Sequence, residues 1–201
     1  MLMNKNNVSS PEQMLRQIKQ RKFFLAARPW IRVSVVFILI AVLIIGIAMI
    51  PYACMYGTAM APTLSDGDLG IAFPAREYRV GDIIAFRQNG KVLIRRIIAC
   101  SGSNVSIDEN GIVTVDGITL EEPYLTQKAL GQCNIQFPYV VPDGQYFVLG
   151  DNRAIAVDSR STALGCINKE AIIGRVMIIF WPFSHFQWNP SEAYILNGGT
   201  L

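Results

Sequence analysis

Thiols and imidazoles are sparse in this chain. Four cysteines, Cys54, Cys100, Cys133 and Cys166, and one histidine, His185, are spread along it. Their spacing fits no compact zinc pattern, so neither a metal nor a cofactor is expected. Four thiols admit three pairings, among which sequence cannot choose. His185 stands among Trp181, Phe183, Phe186 and Trp188 and reads as a structural histidine. Arg95 and Arg96 are adjacent, and acids alternate with arginines through Gly150-Asp151-Asn152-Arg153 and Asp158-Ser159-Arg160. A guanidinium stays protonated in proteins, so Arg95 can hold an anion or a carbonyl but cannot serve as a general base.

The elements that hold these residues divide the chain into parts. At 51% hydrophobic and 16% charged residues, the composition excludes a disordered chain. The formal charge of +3 conceals an asymmetry. Residues 1–32 carry seven Lys or Arg and one acid, whereas the remainder is mildly acidic. A basic head on an acidic body is not the footprint of a nucleic-acid binder. From Val33 to Ile50 no residue is charged. As a helix these residues span about 27 Å, close to a hydrocarbon core, and residues 33–52 are expected to be a single membrane-spanning helix. Trp30 and Tyr52 suit its two interfaces, and the basic head predicts a cytoplasmic N-terminus with residues 53–201 outside. A cleaved signal peptide would have a shorter apolar core and a shorter head. Within the head, Ser10, Pro11 and Gln13 form a helix start that resembles a capping box.

Beyond residue 53 short apolar runs alternate with turn residues. Ile83–Phe86 and Lys91–Ile94 flank Asn89-Gly90, a strong two-residue hairpin signal. Asn110-Gly111 and Asp116-Gly117 bracket Ile112–Val115 in the same manner. Tyr146–Leu149 and Arg175–Phe180 read as further strands. No long 3.6-residue period occurs, so the expected fold is mainly β, antiparallel and of a size to bury one core.

Three stretches carry a resemblance. Gly57-Thr58-Ala59-Met60-Ala61-Pro62-Thr63-Leu64 is similar to a G-x-S-M-x-P-T-L pattern. Gly81-Asp82-Ile83-Ile84-Ala85-Phe86, with Ile94-Arg95-Arg96 following, is similar to G-D-I-V-x-F and its K-R continuation. Val141 to Arg160 follows V-P-x-G-x-Y-F-V-L-G-D-N-R-x-x-S-x-D-S-R almost throughout. In order and spacing the chain resembles the type I signal peptidases, membrane-anchored serine endopeptidases of the Ser–Lys kind. That resemblance implies a signal-peptidase-like β domain behind an anchor helix. It also implies that Gly57, Met60, Ile94 and Arg95 line a peptide-binding cleft. Pro62, Arg96, Gly150, Asp151, Asn152, Arg153, Asp158, Ser159 and Arg160 are then structural motif residues, with Asp158 expected to pair with Arg96 and Arg160.

The departures fall on the chemistry. By resemblance the nucleophilic serine corresponds to Ala59, the general-base lysine to Arg95, and a supporting serine to Ala156. Neither Thr58, Cys54 nor Cys100 stands at a nucleophile position. The resemblance thus implies a catalytically inactive homologue that binds exported polypeptides. Inactive members of this family occur in Gram-positive pilus gene clusters, which implies an assembly factor for pilin subunits, working beside a sortase. The alternatives are an active signal peptidase with an unrecognised nucleophile and an accessory subunit of an active one. The client and the oligomeric state are not legible in the sequence.

Overall fold

The computed structural model describes residues 30, 32–45, 52–54 (backbone only) and 57–191. The expected head helix lies outside the described residues, as does part of the expected anchor, residues 46–51. Residues 32–45 are helical, with apolar side chains exposed. Among the described residues no helix is long and apolar enough to cross a membrane. The chain separates into two compact units, Met1–Ile50 and Pro51–Leu201.

The second unit is mainly antiparallel β. Its strands are β1 (Tyr52–Cys54), β2 (Leu69–Phe73), β3 (Ile83–Gln88), β4 (Lys91–Ala99), β5 (Asn104–Ile107) and β6 (Val113–Val115). After these come β7 (Ile118–Thr119), β8 (Tyr139–Val140), β9 (Gln145–Leu149), β10 (Ile167–Asn168), β11 (Ile172–Trp181) and β12 (Gln187–Trp188). One sheet runs in the order β1-β2-β11-β3-β4-β9-β10, with β12 added to β11. A second, smaller sheet has the order β7-β6-β5-β8.

The hairpin β3–β4 forms where Asn89-Gly90 predicts it. Both turn residues have positive φ, 49° and 75°, which Asn and Gly tolerate best and which matches the twist of the flanking strands. Asp116-Gly117 joins β6 to β7 in the same way, with φ of 50° and 83°. Asn110-Gly111 differs: it lies in a longer loop before β6. There Asp108 Oδ1 accepts the Ile112 N–H at 2.7 Å, so a side chain takes over the closure that a tight turn would provide.

The continuous apolar run of β3 is explained by burial on both faces. Ile83 and Ala85 pack with Met60, Leu64, Ile94, Val176 and Ile179 on one side. Ile84 and Phe86 pack with Ile97, Val148 and Ile167 on the other. Each fully buried Ile or Phe contributes about 1.5–3 kcal/mol relative to exposure. A third cluster, with Phe147, Leu149 and Ile98 at its centre, fastens the small sheet to β4 and β9.

Candidate functional site

The described segment that begins at Gly57 turns there, with a φ of +88°. Its N–H donates to Asp66 Oδ1 at 2.6 Å. Two residues on, the Ala59 carbonyl accepts the Asn152 N–H at 3.0 Å, tying this segment to the one that follows β9. The same junction contains Gly150. A Cβ built there would fall 2.3 Å from the Ala156 Cβ and 2.6 Å from the Ala59 oxygen. No real side chain fits that gap, so glycine is what permits residues 59, 150 and 156 to converge.

Arg95 reaches the junction from β4. It is only 7% exposed. Its Nε and Nη2 donate to the Val157 carbonyl at 3.1 and 2.8 Å, and its Nη1 donates to the Ile94 carbonyl at 2.6 Å. Burial pushes the guanidinium below its ordinary pKa, opposed chiefly by the Asp158 carboxylate. A guanidinium nevertheless remains charged at neutral pH. At these three positions there is thus no hydroxyl, thiol, imidazole or amine, only two methyl groups and a fixed cation. Met60 and Ile94 lie in the core, at 4% and 7% exposure, while Gly57 is exposed.

The other reactive groups have their own partners. His185 is half exposed, with Nδ1 3.3 Å from Asp68 Oδ1. Cys100, Cys133 and Cys166 carry free thiols. The Cys100 sulfur contacts the Tyr78 carbonyl at 4.0 Å, and burial pushes its pKa up. Among the described residues no group of His, Cys, Asp and Glu is arranged to hold a metal ion.

Three buried ion pairs frame the junction. Arg96 donates from Nε and Nη2 to Asp151 at 2.9 and 2.7 Å, and stacks over the Tyr124 ring at 3.9 Å. Burial pushes its pKa down, but the Asp151 hydrogen bond and charge outweigh that and hold it above the ordinary value. Thr63 also donates to Asp151, from Oγ1 to Oδ2 at 2.5 Å. Arg160 pairs with Asp158 through Nε and Nη2 at 2.8 and 2.7 Å. Arg153 pairs with Glu122 and donates from Nε to the Gly150 carbonyl at 3.0 Å.

The expected Asp158–Arg160 pair is present, whereas the expected Asp158–Arg96 pair is replaced by Asp151–Arg96. Asp158 is already committed: besides Arg160, it accepts the Gly150 N–H at 3.0 Å. Arg96 lies opposite Leu149 on β9, so its head falls beside Asp151 just beyond that strand. Ser159 Oγ accepts the Val148 N–H and donates to the Gly165 carbonyl, fixing the return of the loop. Glu122 and Tyr124 escaped sequence reasoning. The only sign of them was an acid beside an aromatic residue in Glu121-Glu122-Pro123-Tyr124. Tyr124 donates to Glu122 Oε1 at 2.7 Å, and burial pushes its hydroxyl well up.

The pairing of β4 leaves an opening. β3 pairs with β4 from Lys91 to Arg96, but β9 joins its other edge only from Arg96 onward. A two-residue hairpin makes Gln88 and Lys91 a hydrogen-bonded pair, and alternation then turns residues 91, 93 and 95 toward β3. Ile97 obeys the same phase, donating its N–H to Asp82 O at 2.9 Å. Val92 and Ile94 therefore direct their backbone groups to an edge that no described strand covers, although the Ile94 carbonyl there already accepts from Arg95 Nη1. Such an edge is a template for an added strand.

The profile described as "Signal peptidase, peptidase S26" matches residues 27–181. A "Signal peptidase I" from Bacillus licheniformis is 31% identical over 171 residues, covering 79% of this chain and 90% of that protein. A "Signal peptidase IB" from Staphylococcus aureus is 31% identical over 181 residues, covering 80% and 92%. A crystal structure of a signal peptidase I from Enterococcus faecalis aligns with a TM-score of 0.43 at 28% identity, over 50% of this chain and 97% of that one. With the family profile spanning most of the chain and relatives matched over nearly their whole length, this protein belongs to the signal peptidase I family.

Proposed function

We propose that this protein is a membrane-anchored member of the family that binds exported polypeptides without cutting them and assists the polymerisation of pilin subunits, with a sortase as a second partner. The carrying observation is the meeting of Ala59 and Ala156 at Gly150, with Arg95 held on the carbonyl of the next residue, Val157, beside an open strand edge. A serine attacks only when a neighbour accepts its proton, and a lysine can do so once desolvation lowers its pKa. The chain has neither group there. Strand addition, by contrast, draws its affinity from main-chain hydrogen bonds and needs no nucleophile. The anchor in this reading is residues 33–52, with the basic head in the cytoplasm.

A second reading, proteolysis, is favoured by one observation: the named relatives are signal peptidases. It requires a nucleophile from elsewhere, and Cys100 is a poor one because burial keeps its thiol protonated. The test is photo-crosslinking from Val92 in membranes that contain pilin precursors. Crosslinks to intact precursors are expected. Crosslinks to an active signal peptidase alone would instead mark an accessory subunit.

A further inference from the structure

The buried arginines of the junction outnumber their counter-ions. Arg95, Arg96, Arg153 and Arg160 are all at most 7% exposed. Three of them hold a carboxylate, on Asp151, Glu122 and Asp158 respectively. The other two buried carboxylates are engaged elsewhere, Asp68 with His185 and Asp82 with Arg175. Arg95 has no carboxylate partner among the described residues, so the cluster keeps one positive charge in excess. Leaving a buried charge without a counter-ion is costly.

The unused hydrogen-bonding capacity sits on the same group. A guanidinium has five N–H donors. Arg95 uses three, one on Nε and one on each Nη, all on backbone carbonyls. One donor on each Nη has no partner among the described residues. One of the occupied acceptors, the Ile94 carbonyl, belongs to the open edge of β4. A strand laid along Val92 would therefore run up to the guanidinium where it covers the Ile94 carbonyl.

We propose that Arg95 is the receptor for a carboxylate carried by the bound polypeptide, either an acidic side chain or a chain terminus, so that this member of the family selects acidic clients. The inference rests on the peptide-binding reading above. Val157, whose carbonyl fixes the fork, anchors Arg95 in place. An arriving carboxylate then meets a preorganised cation and cancels the excess charge.

The experiment uses the full chain in detergent micelles and short fluorescent peptides of alternating Val and Thr, acetylated at the N-terminus. One peptide carries a central Glu and a C-terminal amide, the second Gln with the amide, and the third Gln with a free C-terminal carboxylate. One of the two acidic peptides is expected to bind at least ~10-fold tighter than the Gln amide, the scale of a charge-assisted hydrogen bond. Which one it is identifies the source of the carboxylate. The preference is expected to vanish in Arg95→Gln and to persist, weakened, in Arg95→Lys, which keeps the charge but loses the fork. Equal binding of all three peptides by the unmodified chain would overturn the carboxylate receptor while leaving peptide binding intact. An undiminished preference in Arg95→Gln would overturn it as well. Failure of every peptide to bind would bring down both readings.

Discussion

Arg96 and Asp151 form a two-pronged ion pair, with both side chains fully excluded from solvent. Arg96 sits where β9 first joins β4, and Asp151 begins the loop that carries Asn152 and Arg153. The pair thus locks the strand that bears Arg95 to the loop that meets Ala59. Asp151→Ala leaves a buried guanidinium without its counter-ion, which costs about 3–5 kcal/mol. Its melting temperature is expected to fall by roughly 10 °C or more, as read by circular dichroism.

Gly150 is the point on which the junction depends sterically. Gly150→Ala forces a methyl against Ala156 and the Ala59 carbonyl. Because one of the opposing atoms is backbone, neighbouring side chains cannot relieve the clash by changing rotamer. The substitution is expected to cost about 1–3 kcal/mol or more and to weaken peptide binding together with stability. Thermal melts and anisotropy titrations on one preparation check both effects.

The open edge predicts a contrast between neighbouring residues of β4. In Val92→Pro the lost N–H is one that faces the uncovered edge, where proline is tolerated. Peptide binding is expected to drop at least ~10-fold while the melting temperature changes little. In Leu93→Pro the lost N–H faces β3, and the protein is expected to unfold or to melt well below the unmodified chain.

The thiols give a pH-dependent prediction. Burial raises the pKa of Cys100 and of Cys166, so each holds less thiolate near neutral pH than an ordinary cysteine. Alkylation of both by iodoacetamide, followed by mass spectrometry, is expected to be slow at pH 8 and to accelerate above the ordinary thiol pKa. Rapid labelling of Cys100 at pH 7 would support its candidacy as a nucleophile.

Much of the fold was legible because it rests on local chemistry. Asn89-Gly90 and Asp116-Gly117 announce hairpins through backbone conformations that few other residues tolerate. The unbroken apolar run Ile83–Phe86 reports a strand buried on both faces. The junction was legible only through a resemblance, since nothing local brings Ala59, Arg95 and Ala156 together. Ion-pair partners were the least legible. Arg96 could have met either of two nearby aspartates, and the choice depends on where β9 ends. Glu122 lies 31 residues from Arg153, and its partnership is set by tertiary packing alone.

A peptidase assay decides whether this peptide-binding frame has lost the means to cut. The full chain is incubated with a precursor that carries a signal peptide, beside the triple variant Ala59→Ser, Arg95→Lys, Ala156→Ser. The unmodified chain is expected to leave the precursor intact and the variant to cleave it. Cleavage at the signal-peptide junction by the unmodified chain would show that it retains a working nucleophile.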